Sequence, residues 1–196
     1  NVTLTATLAS GDTVVGETKV SRSREPIERI RLKPSRVKPL PAALTALAEA
    51  DVITFGPGSL FTSVIPNLLV EGIPAAIRKS PAVKAYFVNL MWQPGETSHY
   101  RASDHIRAIH RHAGGKFLDY AVVNIRAITS AVKKRYARED AMPVENDIDA
   151  VFKMGIKVMA GNLAHHGMKV RHDPEATAAV VMKMAQEGRR RRAGQT

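Results

Sequence analysis

The residues with the most chemistry to offer stand at the ends of short apolar runs. The first run, Val52-Ile-Thr-Phe55, is broken by Gly56-Pro57-Gly58-Ser59, and Leu60, Val64, Leu68 and Leu69 follow at the spacing of an apolar helix face. Glycines on both sides of Pro57 permit a sharp turn and a close backbone approach by a ligand. Ser59 has the type of an N-cap. A strand, a glycine turn and a capped helix end would set free N–H groups at the carboxyl edge of a sheet, a geometry suited to a phosphate. The same four residues would equally form a tight β–α corner, and they lack the specificity of a full Walker loop. Later run ends supply Asn89 with Gln93-Pro-Gly-Glu-Thr97, then Asn124, then Gly161-Asn162. Ser59, Thr62, Asn89, Gln93, Glu96, Thr97 and Asn124 are of the kind that read sugar and base edges by hydrogen bonding, or that simply cap strand ends.

Other candidates carry less. His110 and His112 are two positions apart, so on a helix they point in different directions and do not make a metal pair. His165-His166 and His172-Asp173 match no recognised metal-ligand spacing, and no metal ligand is assigned. Asp104 stands at a helix start, where a cap accounts for it better than a general base does. No serine–histidine or paired-carboxylate arrangement follows from spacing. Trp92, the only tryptophan, suits stacking on a ligand ring and equally suits closing its own loop.

The elements that must position these residues follow from patterning. Val2 to Leu8 alternates apolar and polar, Thr13 to Val20 does so less cleanly, and Ser10-Gly11-Asp12 lies between, which predicts a β-hairpin over 2–20. Ile27–Leu32 adds a third strand with Arg29 and Arg31 opposite Ile30 and Leu32, and Pro34, Pro39 and Pro41 punctuate a linker. Pro41 opens a helix carrying Leu44, Leu47 and Ala48. From there apolar runs start near Val52, Ala85, Tyr120 and Ile156, roughly 33–36 residues apart, the length of a βα unit with its connections. Helical patterns lie between them: Asp104–His112 with Ile106 and Ile109, and Asn146–Met154 with Ile148, Val151 and Phe152. A last helix opens at Asp173-Pro174 and buries Val180, Val181 and Met184. Alternation of this kind predicts an α/β fold with a parallel sheet covered on both faces, its ligands at the carboxyl rim. The division is 1–40 hairpin, strand and linker; 41–187 α/β domain; 188–196 basic disordered tail.

At 196 residues and 44% hydrophobic content, the chain can build one full domain. The absence of cysteine excludes disulfides and thiolate chemistry and is compatible with a reducing cytoplasm, the expected location. No apolar run approaches a membrane span. The net charge of +11 points to an acidic partner. Arg189–Arg192 concentrate part of it at the end of the chain, and the body lacks the aromatic-basic interleaving of a single-strand binder, so nucleic acid is not the expected partner.

Taken in order, Gly56-Pro-Gly-Ser-Leu-Phe-Thr-Ser-Val-Ile-Pro-Asn-Leu-Leu-Val70, Gln93-Pro-Gly-Glu-Thr97, Asp104-His105, Asp119-Tyr-Ala-Val-Val-Asn124 and Arg171-His-Asp-Pro174 form a specific set. The set resembles the superfamily of CofD-type 2-phospho-L-lactate transferases and YvcK-type gluconeogenesis factors, and is more like the YvcK branch. The resemblance runs to about Met184. It implies a Rossmann-like three-layer αβα fold binding a nucleotide-diphosphate ligand. In the YvcK branch that ligand is a uridine-diphosphate sugar, and the protein acts in carbon metabolism and cell-envelope or shape control. In the transferase branch a phospholactyl-type group passes from a guanosine-diphosphate conjugate to a deazaflavin, with magnesium. Carried over on the matched motifs are Gly56, Gly58, Ser59 and Thr62 on the phosphate side, Asn89 and Gln93 on the rim, and Tyr136 and Arg171, which resemble the family's nucleotide-sugar contacts; Asn124 joins the binding set from its strand-end position. A guanidinium such as that of Arg171 suits a diphosphate through paired charge-assisted hydrogen bonds.

The chain also departs from the family. The glycine-rich first strand-turn-helix and the acidic Asp-Asp-Gly-Gly-like loop of its members are missing, so the sequence reads as a C-terminal portion, with magnesium held through the missing part. A parallel sheet cut in this way exposes a strand edge and favours a homodimer.

Overall fold

The computed structural model describes residues 1–167 and 169–194, the side chain of His166 excepted. The alternation near the start gives β1 (Thr3–Leu8), with Leu4, Ala6 and Leu8 buried and the threonines between them turned toward solvent. It pairs antiparallel with β2 (Thr13–Val15) and, on its other side, with β3 (Ile27–Lys33). The second strand is shorter than its sequence suggests. Gly16, at φ 97°, ends it, and Glu17–Arg22 turns into helix α1, which buries Val20.

The main sheet follows the period of the sequence. It consists of β4 (Val52–Phe55), β5 (Val83–Phe87), β6 (Tyr120–Asn124) and β7 (Lys157–Gly161), all parallel and in the order β4-β5-β6-β7. Between β3 and β4 runs α2 (Pro41–Glu49), which starts on its proline. A π-helical turn (Leu60–Val64), α3 (Ile65–Leu68) and α4 (Ile73–Lys79) lead from β4 to β5. Helices α5 (Ala102–His112), α6 (Ser130–Ala137) and α7 (Ile148–Lys153) fill the later connections. A hairpin of β8 (Ala164–His166) and β9 (Val170–His172) precedes α8 (Pro174–Ala193). Phe152, assigned to the buried side of α7, is 56% exposed; Val151 takes the core position.

Three layers result. On one face of the parallel sheet, Leu60, Phe61 and Ile65 pack with Ile106 and Ile109 of α5, Val151 of α7, and Leu4, Ala6 and Ile30 of the antiparallel sheet in one continuous buried cluster. Residues 1–40 therefore share their core with the parallel sheet. The other face is covered by α8, whose Met184 sits fully buried against Val83, Ala85, Phe87 and Val122. Among the described residues no single helix is long and apolar enough to cross a membrane.

Two expectations are corrected here. The first concerns Val52–Phe55, an apolar, β-branched run whose composition is that of a strand buried on both faces. It is the edge strand: Ile53 and Phe55 are buried, Val52 is half-buried and Thr54 is exposed. In a parallel ladder the residues bonded to β5 alternate with residues whose N–H and C=O face away. Val83 N–H donates to Asp51 O (3.0 Å), so Val52 and Thr54 present theirs to the open edge. The second is the disordered tail. Helix α8 continues through the arginine run to Ala193. Asp51, at the foot of β4, accepts from Arg189 (3.3 Å) and from Arg192, while Arg191 pairs with Glu187 (2.6 Å) and Asp119 (3.3 Å). Cations in the last turn of a helix also complement its dipole. The run is thus partly neutralised by the domain's own carboxylates. Gln195 and Thr196 lie outside the described residues.

Candidate functional site

The carboxyl ends of β4 and β5 carry loops that are tied together side chain to side chain. Gly56 leaves β4 at φ 79°, and a Cβ there would stand 3.3 Å from Gly58 N and 3.4 Å from Phe87 O, so glycine alone makes this turn without strain. Ser59 begins the π-helical turn but makes no side-chain cap bond. Its hydroxyl instead accepts from Gln93 Nε2 at 2.7 Å, which leaves its own proton free to donate. Gln93 is fixed in turn: its N–H donates to Thr97 Oγ1 (2.9 Å) and its carbonyl accepts from Thr97 N–H (2.8 Å).

Beneath this pair lies Glu96, which is almost completely buried. Its carboxylate accepts from Phe61 N–H (3.2 Å) and Thr62 Oγ1 (3.1 Å), so it stitches the β5 loop to the turn after β4. Burial raises its pKa, and the two donors work against that rise. Thr62 therefore points to Glu96 and is not on the cavity wall. Farther back, Gly95 leaves no room for a side chain: at φ 82°, a Cβ would fall 1.8 Å from Ser23 O.

A cavity of about 310 Å³ opens over the tie. The structure brings Gly58, Ser59, Asn89, Gln93, Tyr136 and Arg171 to its wall, together with Trp92, Lys169 and His172. Sequence reasoning passed over Lys169 and gave His172 no rim role; their signal is adjacency to Arg171 on a strand that ends beside the rim. Tyr136 is positioned by its hydroxyl, which accepts from Val170 N–H at 2.8 Å and so joins α6 to β9. Arg171 and Lys169 are exposed cations with no ion pair among the described residues. Trp92 serves both readings. Its Nε1–H donates to Tyr100 O (3.1 Å), which locks the loop, while its ring still borders the cavity.

The remaining assigned residues sit elsewhere. Asn124 caps its own strand end: its Oδ1 accepts from Arg126, Leu163 and Ala164 N–H (3.1, 2.9 and 3.0 Å), and its Nδ2 donates to Arg126 O (2.8 Å). Gly56 borders a larger, mainly apolar cavity of about 840 Å³ along the open edge of β4, which shares only Gly58 with the rim cavity. Size favours that cavity as a ligand pocket, but its lining is mainly apolar, with Lys38, Thr54, Ser63 and Asn67 spread around it. The convergent polar groups lie at the smaller one, and they decide where chemistry is possible.

Asn89 is held from below. Tyr86, fully buried, accepts from the Asn89 backbone N–H, and its hydroxyl lies 2.8 Å from His105 Nδ1. Burial raises the tyrosine's pKa and lowers that of His105 to about 4, so both are neutral at pH 7. Asp104 has the capping role assigned to it: its carboxylate accepts from Arg101 N–H (2.8 Å), and Arg107 and Arg101 join it in ion pairs. Among the described residues no three His, Asp or Glu side chains converge as a metal site. Of the His165–His166 pair, the His166 side chain lies outside the described residues.

Similar proteins give this geometry a context. The family model for 2-phospho-L-lactate transferase CofD matches residues 1–164. A gluconeogenesis factor of Bacillus subtilis is 39% identical over 188 residues, covering 95% of this chain and 59% of that protein. One from Halalkalibacterium halodurans is 43% identical over 156 residues, covering 80% of this chain and 48% of that protein. The crystal structure of a UPF0052 family member from Bacillus halodurans superposes with a TM-score of 0.89 at 38% identity, over 93% of this chain and 59% of that one. The chain thus spans about three fifths of the length of the Bacillus subtilis relative.

Proposed function

This chain belongs to the CofD family, and from that premise we propose that it forms part of a nucleotide-sugar-binding regulatory factor of the gluconeogenesis-factor type. The observation that carries the reading is the tied rim: Ser59 and Gln93 are locked at 2.7 Å beside Lys169 and Arg171, two cations without an ion pair among the described residues, over one cavity. A diphosphate matches that wall. The Ser59 hydroxyl has a proton to donate to one phosphate oxygen, and the Arg171 guanidinium can take two others in parallel. Because the loops are held before any ligand arrives, little ordering entropy is lost on binding. The names of the similar proteins support a role in carbon metabolism. Control of the cell envelope and a cytoplasmic location extend the same reading. The open β4 edge supports pairing with a second copy.

The family model's own description favours a second reading, a transferase acting on a nucleotide-diphosphate donor such as a guanosine-diphosphate conjugate with a deazaflavin acceptor. Positioning and charge stabilisation could serve such a transfer without a covalent nucleophile. The residues that line the rim cavity include no carboxylate, the ligand a magnesium ion takes beside phosphates, and no step is routed through one.

Isothermal titration of UDP-glucose and UDP-N-acetylglucosamine tests the binding reading. The expected result is a submillimolar Kd that weakens at least about tenfold in Arg171→Ala, the size of one lost charge-assisted contact. Absence of binding at millimolar ligand would overturn it. Turnover of a deazaflavin acceptor with the guanosine-diphosphate donor would move the assignment to the transferase.

A further inference from the structure

The outer face of the small antiparallel sheet carries a line of cations. In β1 and β3, Leu4, Ala6, Ile30 and Leu32 turn into the core, so the residues between them share the opposite face. The register sets Thr7 opposite Arg29, Thr5 opposite Arg31 and Thr3 opposite Lys33, and β2 adds Thr13 and Val15 beside the threonines. Arg29, Arg31 and Lys33 are exposed. They stand at every second residue of one strand, about 6.8 Å from each to the next. The register places no carboxylate on this face: Glu28 falls at the irregularity between the Thr7–Arg29 and Leu8–Ile27 pairs. None of the three cations has an ion pair among the described residues. Other cations are matched within the chain: Arg24 by Asp140, Arg101 and Arg107 by Asp104, and Arg189, Arg191 and Arg192 by Asp51, Asp119 and Glu187. The free edge of β3 is already in use. Ile30 N–H donates to His112 Nε2 (3.1 Å) and Arg111 donates to Glu28 O (2.5 Å), so the end of α5 occupies it. What this strand offers a partner is therefore its row of side chains.

We propose that this face docks an extended acidic segment of a partner protein, one with carboxylates on alternate residues. An extended strand repeats its side chains on one face every two residues, which is the spacing of the cations. Laid along β3, three successive carboxylates meet Arg29, Arg31 and Lys33 together, the two guanidiniums in paired charge-assisted bonds. Thr5 donates its hydroxyl proton to Arg31 O (3.2 Å), so Thr3 and Thr7 supply the hydroxyls left to donate to the same carboxylates. A nucleic acid matches less well. The face has no aromatic side chain on which bases could stack, and the phosphates of a duplex wind around an axis instead of following one straight line. A layer of lipid headgroups has no such repeat.

The test is titration, in dilute salt, with two octapeptides of equal charge: one alternates Glu and Thr, the other has four Glu followed by four Thr. The alternating peptide is expected to bind with a submillimolar Kd, at least about fivefold tighter than the blocked one, which turns its carboxylates to both sides of a strand. The double variant Arg29→Thr with Arg31→Thr keeps good strand formers at both positions. It should bind at least about tenfold more weakly and lose the preference, with an unchanged melting curve. If that variant melts lower, Lys33→Gln at the end of the line is expected to weaken the alternating peptide about threefold. Lys79→Gln with Arg190→Gln removes the same charge elsewhere and should stay within about twofold of the parent chain. Equal binding of the two peptides overturns the proposal, since charge alone would then account for it, and so does absence of binding at millimolar peptide. Tighter binding of octathymidylate or of phosphatidylserine vesicles, lost in the same double variant, overturns it in favour of a phosphate partner. Self-association of the double variant with peptide binding unchanged overturns it as well, because the cations would then serve only to keep the sheets of separate copies apart.

Discussion

On its carboxyl end, strand β4 meets a loop from β5 through Glu96, Gln93 and Ser59; along its free edge it meets the mainly apolar cavity and helix α2. The two regions are neighbours in sequence and differ in every physical respect. The rim is polar, and its hydrogen bonds are made before any ligand arrives. The flank is mainly apolar and open: α2 reads Pro-Ala-Ala-Leu-Thr-Ala-Leu-Ala-Glu, yet buries no residue fully, with Leu44 and the preceding Leu40 exposed. An edge strand with free backbone groups beside an exposed apolar helix is the kind of surface that pairs with further polypeptide. The rim's polar groups are held within the chain; the flank's apolar groups are only partly covered by it.

The largest effect that would break this contrast is steric. Gly95→Ala places a methyl group within 1.8 Å of the Ser23 carbonyl behind the rim, at φ 82°, and should cost about 3–4 kcal/mol in urea unfolding. Gly72→Ala, at φ 81° where α4 begins and with no atom within 4 Å of the new Cβ, should cost only the backbone strain, about 1 kcal/mol. Equal costs would mean that the β5 loop is not anchored as described.

Next comes pH. His105 and His110 are buried, and desolvation lowers both to about 4. The unfolded chain then binds protons that the folded chain does not as pH falls from about 6.5 toward 4. The histidine contribution to stability is complete above 6.5 and is lost through that window, by about 1.4 kcal/mol per pH unit for each of the two. Denaturation midpoints at pH 7, 5.5 and 4.5 measure it. His105→Gln should flatten the slope if the Tyr86–His105 pair beneath Asn89 is neutral. The smallest effect on stability belongs to the flank. Leu40→Asp with Leu44→Asp should change unfolding free energy by less than about 1 kcal/mol while shifting sedimentation from dimer to monomer; an unchanged association state would show that this surface is not the contact between copies.

Much of this was legible in the sequence because period is a strong signal. The spacing of Val52, Ala85, Tyr120 and Ile156 gives the parallel sheet, and the strand ends give the rim. What could not be read was who uses each polar group. Asn124 has the same residue type and the same strand-end position as Asn89, yet its amide is consumed by Arg126, two residues on, and by Leu163 and Ala164, 39 and 40 residues on. Thr62 faces Glu96 because the turn after Ser59 is a π-helical one, which shifts side chains relative to an α-helix, and no residue type marks that. The arginine run looked like a tail because its partner, Asp51, stands 138 to 141 residues earlier in the sequence. In the same way β4 looked central because three of its four residues are apolar or aromatic, a composition shared by central and edge strands.

The central claim is that ligand chemistry belongs to the rim and not to the larger cavity on the flank. Amide chemical shifts recorded while UDP is titrated into the uniformly labelled chain test it directly. Progressive, saturable shifts are expected at Ser59, Asn89, Gln93 and Arg171, with Ala43, Leu47, Val52 and Thr54 unmoved. Shifts centred on the α2 and β4 flank, or none at millimolar nucleotide, would contradict it.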